Sequence, residues 1–181
     1  MKTSTRENYK KIIEICKDIY LKKSEDYGSA WRILRVTSLT DQIFIKAQRI
    51  RSIQEKNKMK VNENIEDEFI GIINYCIIAI IQLEYKGKDI EIAIRELESL
   101  YDKYSNEIMD LLENKNHDYD EAWKEMRVSS MTDIILMKLY RTKQIESNKG
   151  KTLISEGVKA NYQDIVNYSV FCLIKLLIFK K

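Results

Sequence analysis

Residues 26–49 read DYGSAWRILRVTSLTDQIFIKAQR, and residues 118–141 read DYDEAWKEMRVSSMTDIILMKLYR. The second stretch begins 92 residues after the first and keeps the aspartate, the tryptophan, a lysine and two arginines in place. The match runs on in both directions. Tyr9, Lys11, Asp18 and Lys23 recur as Tyr101, Lys103, Asp110 and Lys115, and Ile53 recurs as Ile145. After a one-residue change of length, Glu63, Asn74 and Tyr75 recur as Glu156, Asn167 and Tyr168. A repeat of about ninety residues is a duplicated supersecondary unit, and two copies are too few for a solenoid. The expected architecture is therefore all-α: a pseudo-symmetric six-helix bundle built from two tandem three-helix repeats. It forms a single domain over 1–181, with unit one at 7–86 and unit two at 89–180.

Composition favours this reading. The chain has 181 residues, 44% of them hydrophobic and 33% charged, with no proline and five glycines. Few breakers and enough apolar residues for a core favour helices. Helices are expected near 7–23, 39–55, 62–86, 89–115, 130–147 and 155–180. Helix two carries a start signal in both copies, Ser38-Leu-Thr-Asp41 and Ser130-Met-Thr-Asp133, where a serine can cap and the acid three residues on can reach back. Helix three is apolar nearly all round, which marks a buried element. The connections at 24–38 and 116–129 are long for a bundle, and such loops often carry function.

A net charge of +3 does not by itself argue for nucleic acid. Cys16, Cys76 and Cys172 lie in apolar runs without CxxC spacing and read as reduced core thiols of a cytoplasmic protein. The opening MKTSTRENYKK lacks the apolar stretch of a signal peptide. The most apolar runs, 69–83 and 166–179, are too short to span a bilayer. No membrane association is expected, and the composition leaves homo-oligomerisation open.

Several residues have the types and spacing for nucleotide chemistry. Lys46, Arg49 and Ile53 share one helical face, as do Lys138, Arg141 and Ile145. Such paired cations can hold phosphate or can snorkel over an apolar helix. Arg35 and Arg127, which recur between the tryptophan and helix two, join this candidate phosphate-binding set. Glu63 and Asp67 with Asn74, and Glu156 and Asp164 with Asn167, offer oxygen ligands of the kind Mg²⁺ takes, or merely an acidic first turn. Asn74 and Asn167 sit in apolar runs, so each needs a partner: the other asparagine, a polar network or a ligand. Asp26, Tyr27 and Trp31, with Asp118, Tyr119 and Trp123, can stack on a base and bond its edge, or can pin a loop into the core. His117 is the only histidine, which excludes histidine-rich metal sites. Gly150-Lys-Thr152 is not a phosphate loop, because the earlier glycine that motif needs is Ile145.

The order K-x-x-[DE]-DY-x-x-AW-x-x-x-R-V-[ST]-S-x-TD, then K-x-x-R, then E…NY, resembles the nucleotide-modification-associated domain 1 family. The resemblance covers 7–178 in two copies and implies a link to systems that modify nucleotides or DNA bases. A more distant likeness is to the all-α nucleoside triphosphate pyrophosphohydrolases, which bind Mg²⁺ through E-x-x-E and E-x-x-D. Glu63-x-x-Glu66 matches the first half and Glu107-x-x-Asp110 the second, while Lys159 stands where the second copy of Glu66 would fall. The two likenesses together imply a nucleotide-binding protein, with Mg²⁺-dependent pyrophosphate hydrolysis as a consequence. The alternative is a non-catalytic helical interaction protein whose duplicated polar positions serve packing.

Overall fold

The computed structural model describes residues 3–56, 64–119 and 121–179, the side chains of 3 and 114–119 excepted. Among these, the elements are α1 (Thr3–Tyr27), a 3-10 turn (Ala30–Ile33), α2 (Val36–Lys56) and α3 (Ile65–Glu84) in unit one. Unit two repeats them as α4 (Ile94–Tyr119), a 3-10 turn (Ala122–Glu125), α5 (Val128–Ser147) and α6 (Val158–Leu173). No strand occurs among the described residues. The bundle is all-α, as the repeat requires.

The connection from α1 to α2 is shorter than its polar composition suggests. α1 runs on to Tyr27 and α2 begins at Val36, so only eight residues separate the helices, half of them in the 3-10 turn. Ser38 and Ser130 do not cap. The Leu39 and Met131 amides reach back to the Arg35 and Arg127 carbonyls at 3.2 and 3.1 Å, which draws each helix cap three residues towards the N-terminus. Asp41 and Asp133 then have other work. Asp41 meets Lys143 at 2.7 Å, and its repeat counterpart Asp133 meets Arg51, the counterpart of Lys143, at 3.6 Å.

This reciprocity fixes how α2 and α5 pack. Thr40, near the start of α2, bonds Glu146 near the end of α5 at 2.6 Å. Gln54, near the end of α2, bonds Thr132 near the start of α5 at 3.1 Å. The helices are therefore antiparallel about a pseudo-twofold axis. α3 and α6 pack against them and against each other, and both are buried along most of their length.

α1 and α4 cross that axis. The Tyr101 hydroxyl, from α4, donates to Asn74 Oδ1 on α3 at 2.8 Å, and Tyr9, from α1, donates to Asn167 Oδ1 on α6 at 2.8 Å. Asn74 also donates through Nδ2 to the Cys16 carbonyl at 3.0 Å. The two asparagines thus do not pair with each other. Each is held by the first helix of the opposite unit. Burial raises the pKa of both tyrosines far above 10.0, so they remain neutral donors.

The three cysteines are free and buried, and burial pushes the Cys16 thiol up to about 12. A thiol so shifted forms little thiolate, which agrees with a packing role. Among the described residues no helix is long and apolar enough to cross a membrane.

Glu146 is an exception among the mated polar pairs. Its counterpart is the neutral Gln54, yet it is a half-buried carboxyl, bonded by Thr40 and approached by Tyr162 at 3.5 Å. Burial is the largest influence on it and raises its pKa above the ordinary 4.5, against the lowering effect of those hydrogen bonds. A folded pKa above the unfolded one means that folding favours the protonated form. The penalty is absent below the unfolded pKa and grows as pH rises through the folded value. We expect Glu146→Gln to remove this component. The stability difference between variant and native protein, from urea melts, should shift in the variant's favour as pH rises from about 4 towards 7.

Candidate functional site

The 3-10 turn after α1 is tied down from below. Arg32 donates to Gln82 Oε1 at 2.6 Å and to the Gly87 carbonyl at 2.7 Å, and its guanidinium lies over the Tyr85 ring. Gln82 returns hydrogen bonds to the Arg32 and Leu34 carbonyls at 3.0 and 2.9 Å. Ser29 bonds the Ile90 carbonyl and receives the Ile92 amide. These contacts fix Trp31 as a buried wall at the end of α3. None of Ser29, Arg32 and Gln82 stood out in the sequence, because their partners lie 48 to 63 residues away.

Above this wall is a cavity of about 660 Å³, formed by the end of α1, the 3-10 turn, α2 and α3. Trp31, Tyr20, Tyr27 and Tyr75 supply aromatic surface, with Ile70 and Ile78 between them. Lys23, Lys46, Asp67, Glu68 and Asn74 supply the polar groups. The Trp31 indole nitrogen is buried without a hydrogen-bond partner among the described residues. Tyr27 is largely exposed at the rim, and burial, then Tyr75 and Asp26, raise its pKa above 10.0.

The cations and acids are already linked. Glu68, almost wholly buried, accepts from Lys46 at 3.2 Å and from Arg49. Lys46 passes close over Gly71 on the way: a Cβ there would come within 2.8 Å of the lysine Cε, and the lysine would have to shift. Unit two is wired differently. Its counterpart of Glu68 is Asn161 and that of Gly71 is Asp164, which binds Lys138 directly.

The candidate residues therefore divide. Trp31, Lys46, Asp67 and Asn74 share the unit-one cavity, and Arg49 borders it through Glu68. Asn74 is engaged there by Tyr101 and Cys16. Asp26 is exposed at the end of α1, and Arg35 and Arg127 are exposed as well. Lys138, Arg141 and Glu156 border a second, more open groove of about 880 Å³ along α5 and the 148–156 loop. Trp123 is stacked in the core of unit two, and Asn167 is held by Tyr9. Glu63 and the Asp118 side chain lie outside the described residues. Lys23, Tyr75 and Glu68 are additions to the site; the first two were visible as recurrences with Lys115 and Tyr168.

The donors suit magnesium only in part. Among the described residues no three potential metal ligands of the His, Cys, Asp and Glu types gather. Glu68 is taken up by two cations, while Asp67 lines the cavity and accepts the Asn64 amide at 3.3 Å. That fits an ion brought in on phosphate and touched by one carboxylate, the mode Mg²⁺ commonly uses with nucleotides.

The fold and site define an all-α pseudo-dimer with a single-chain twofold and an aromatic cavity lined by both basic and acidic groups in its first half. The chain belongs to the nucleotide modification associated domain 1 family, which matches residues 23–83 and 115–176, one segment in each unit and together more than half of the chain. No curated protein and no solved structure matches it.

Proposed function

We propose that this protein binds a nucleotide in the unit-one cavity, and that the ligand is a monophosphate rather than a triphosphate. The carrying observation is the cavity itself: one recess of about 660 Å³ joins a tryptophan wall to Lys23 and Lys46. That volume lies in the range of small-molecule sites. Trp31, Tyr27 and Tyr75 offer faces for a base, and stacking on aromatics contributes on the order of 1–3 kcal/mol per base.

Charge decides the phosphate number. With Arg49 counted through Glu68, three cations stand against Glu68 and Asp67, an excess of one. A phosphate monoester brings about −1.5 to −2 at pH 7. A triphosphate would leave most of its charge uncompensated. Mg²⁺, bound by the phosphate and Asp67, would offset part of it. Hydrolysis would need carboxylates beyond Asp67, and Glu68 is already committed to Lys46 and Arg49.

The test is isothermal calorimetry with nucleoside mono- and triphosphates, with and without Mg²⁺. We expect monophosphates to bind more tightly in metal-free buffer. Lys23→Glu, at an exposed position, should weaken binding roughly tenfold, about 1.4 kcal/mol, with the melting temperature unchanged. Arg127→Ala, exposed in the other unit, should leave affinity as it was. Equal affinity in Lys23→Glu and native protein would remove the phosphate role of this cavity.

A further inference from the structure

We propose that only one of the two units is a binding unit: the rings of Phe171 and Phe179, where unit one has Ile78 and Lys86, plug in unit two the recess that stands open beside the tryptophan in unit one. Ile78 and Phe171 are repeat counterparts, 93 residues apart like Asn74 and Asn167. Ile78 lines the open cavity together with Trp31. Phe171 instead lays its ring on Trp123, with centroids 4.3 Å apart and planes within 6°.

A second ring completes the plug. α6 continues as a π-helical turn, Ile174–Ile178, closed by the Phe179 amide on the Ile174 carbonyl at 3.0 Å. The wider turn places Phe179 almost parallel to Trp123, at 6.3 Å. The equivalent position in unit one is Lys86, outside α3. Lys175 adds a tie across the same region, donating to the Lys124 carbonyl at 2.5 Å. The counterparts of Lys23, Ser24 and Tyr27 lie outside the described side chains, so the closure rests on the rings alone.

The polar groups have diverged in step. In unit one Glu68 pairs with Lys46 and Arg49, and the lysine stem lies against Gly71. Unit two has Asn161 and Asp164 at those places, and Lys138 is drawn onto Asp164 in a part-buried pair. Unit two has thus exchanged a recess for packing, and binding stoichiometry is one per chain.

This rests on the nucleotide reading only for the identity of the ligand. The test therefore uses two probes, adenosine monophosphate and the apolar dye 8-anilinonaphthalene-1-sulfonate. Protein labelled with 5-fluorotryptophan gives two ¹⁹F resonances, assigned with Trp31→Phe and Trp123→Phe. The dye should shift the Trp31 resonance alone, and Ile78→Phe, which places a ring in existing space, should weaken that response at least tenfold. Phe171→Ile should make the Trp123 resonance responsive; if that variant does not fold, Ile78→Phe still decides. A dye response without a nucleotide response keeps the asymmetry and removes the nucleotide reading. A dye response at both tryptophans, at neither, or undiminished in Ile78→Phe, overturns the proposal.

Discussion

Asn74→Leu should lower stability by about 3 kcal/mol, the largest loss we expect from any single change. The amide accepts from one buried hydroxyl and donates to one buried carbonyl. Tyr101, with no exposed surface, would keep a hydroxyl with no acceptor, and the Cys16 carbonyl would lose its side-chain donor. A buried polar group left unsatisfied costs about 1–3 kcal/mol. In a chain of this size the melting temperature should fall by roughly 6–12 °C. Adding Tyr101→Phe should return part of the loss, because the orphaned hydroxyl leaves with its ring oxygen. Asn167→Leu, with only the Tyr9 bond to lose, should cost less. Because the asparagines bond separate tyrosines, the double asparagine variant should show the sum of the two losses. Rescue in that double variant would mean that the asparagines pair with each other after all.

The second large effect is expected at Glu68, and it has two signs. Glu68→Gln removes the charge that Lys46 and Arg49 converge on. Breaking a buried pair costs about 3–5 kcal/mol. Here both cations keep more than a quarter of their side-chain surface in water, so about 2 kcal/mol is a better figure. Binding should move the other way. The cavity gains a full positive charge, and affinity for a monophosphate should rise roughly threefold to tenfold, with a steeper dependence on salt. Denaturant melts and calorimetry on the same variant read the two effects separately. Weaker binding would show that Glu68 orients Lys46 for the ligand rather than competing with it.

The bundle was legible because both halves repeat what packing requires. Tryptophan, the polar residues of α2 and the asparagines recur since each half must close the same kind of core. The partners of those residues were not legible. Tyr9 and Asn167 are 158 residues apart, and no local pattern shows which tyrosine meets which asparagine. The serine start signals misled for a related reason: Asp41 and Asp133 are needed across the α2–α5 seam, which helix propensity alone does not register. The cavity was hidden more deeply. It arises where the copies differ, at Ile78 against Phe171, Gly71 against Asp164 and Glu68 against Asn161. Reading for recurrence selects the shared scaffold and passes over the mismatches that set one half apart.

The crossed tyrosines have a consequence for any shorter relative. A chain of one unit would carry the tyrosine of α1 and the asparagine of α3, yet the tyrosine's acceptor lies on the third helix of the other unit. Such a chain could satisfy both groups only by meeting a second molecule of itself, and its folding would then depend on concentration, as for any obligate dimer. Joining two copies end to end turns that encounter into a intramolecular event at a fixed effective concentration. It also releases the halves from identity. A true homodimer must change both faces with every substitution, whereas here Phe171 could appear on one side while Ile78 stayed on the other.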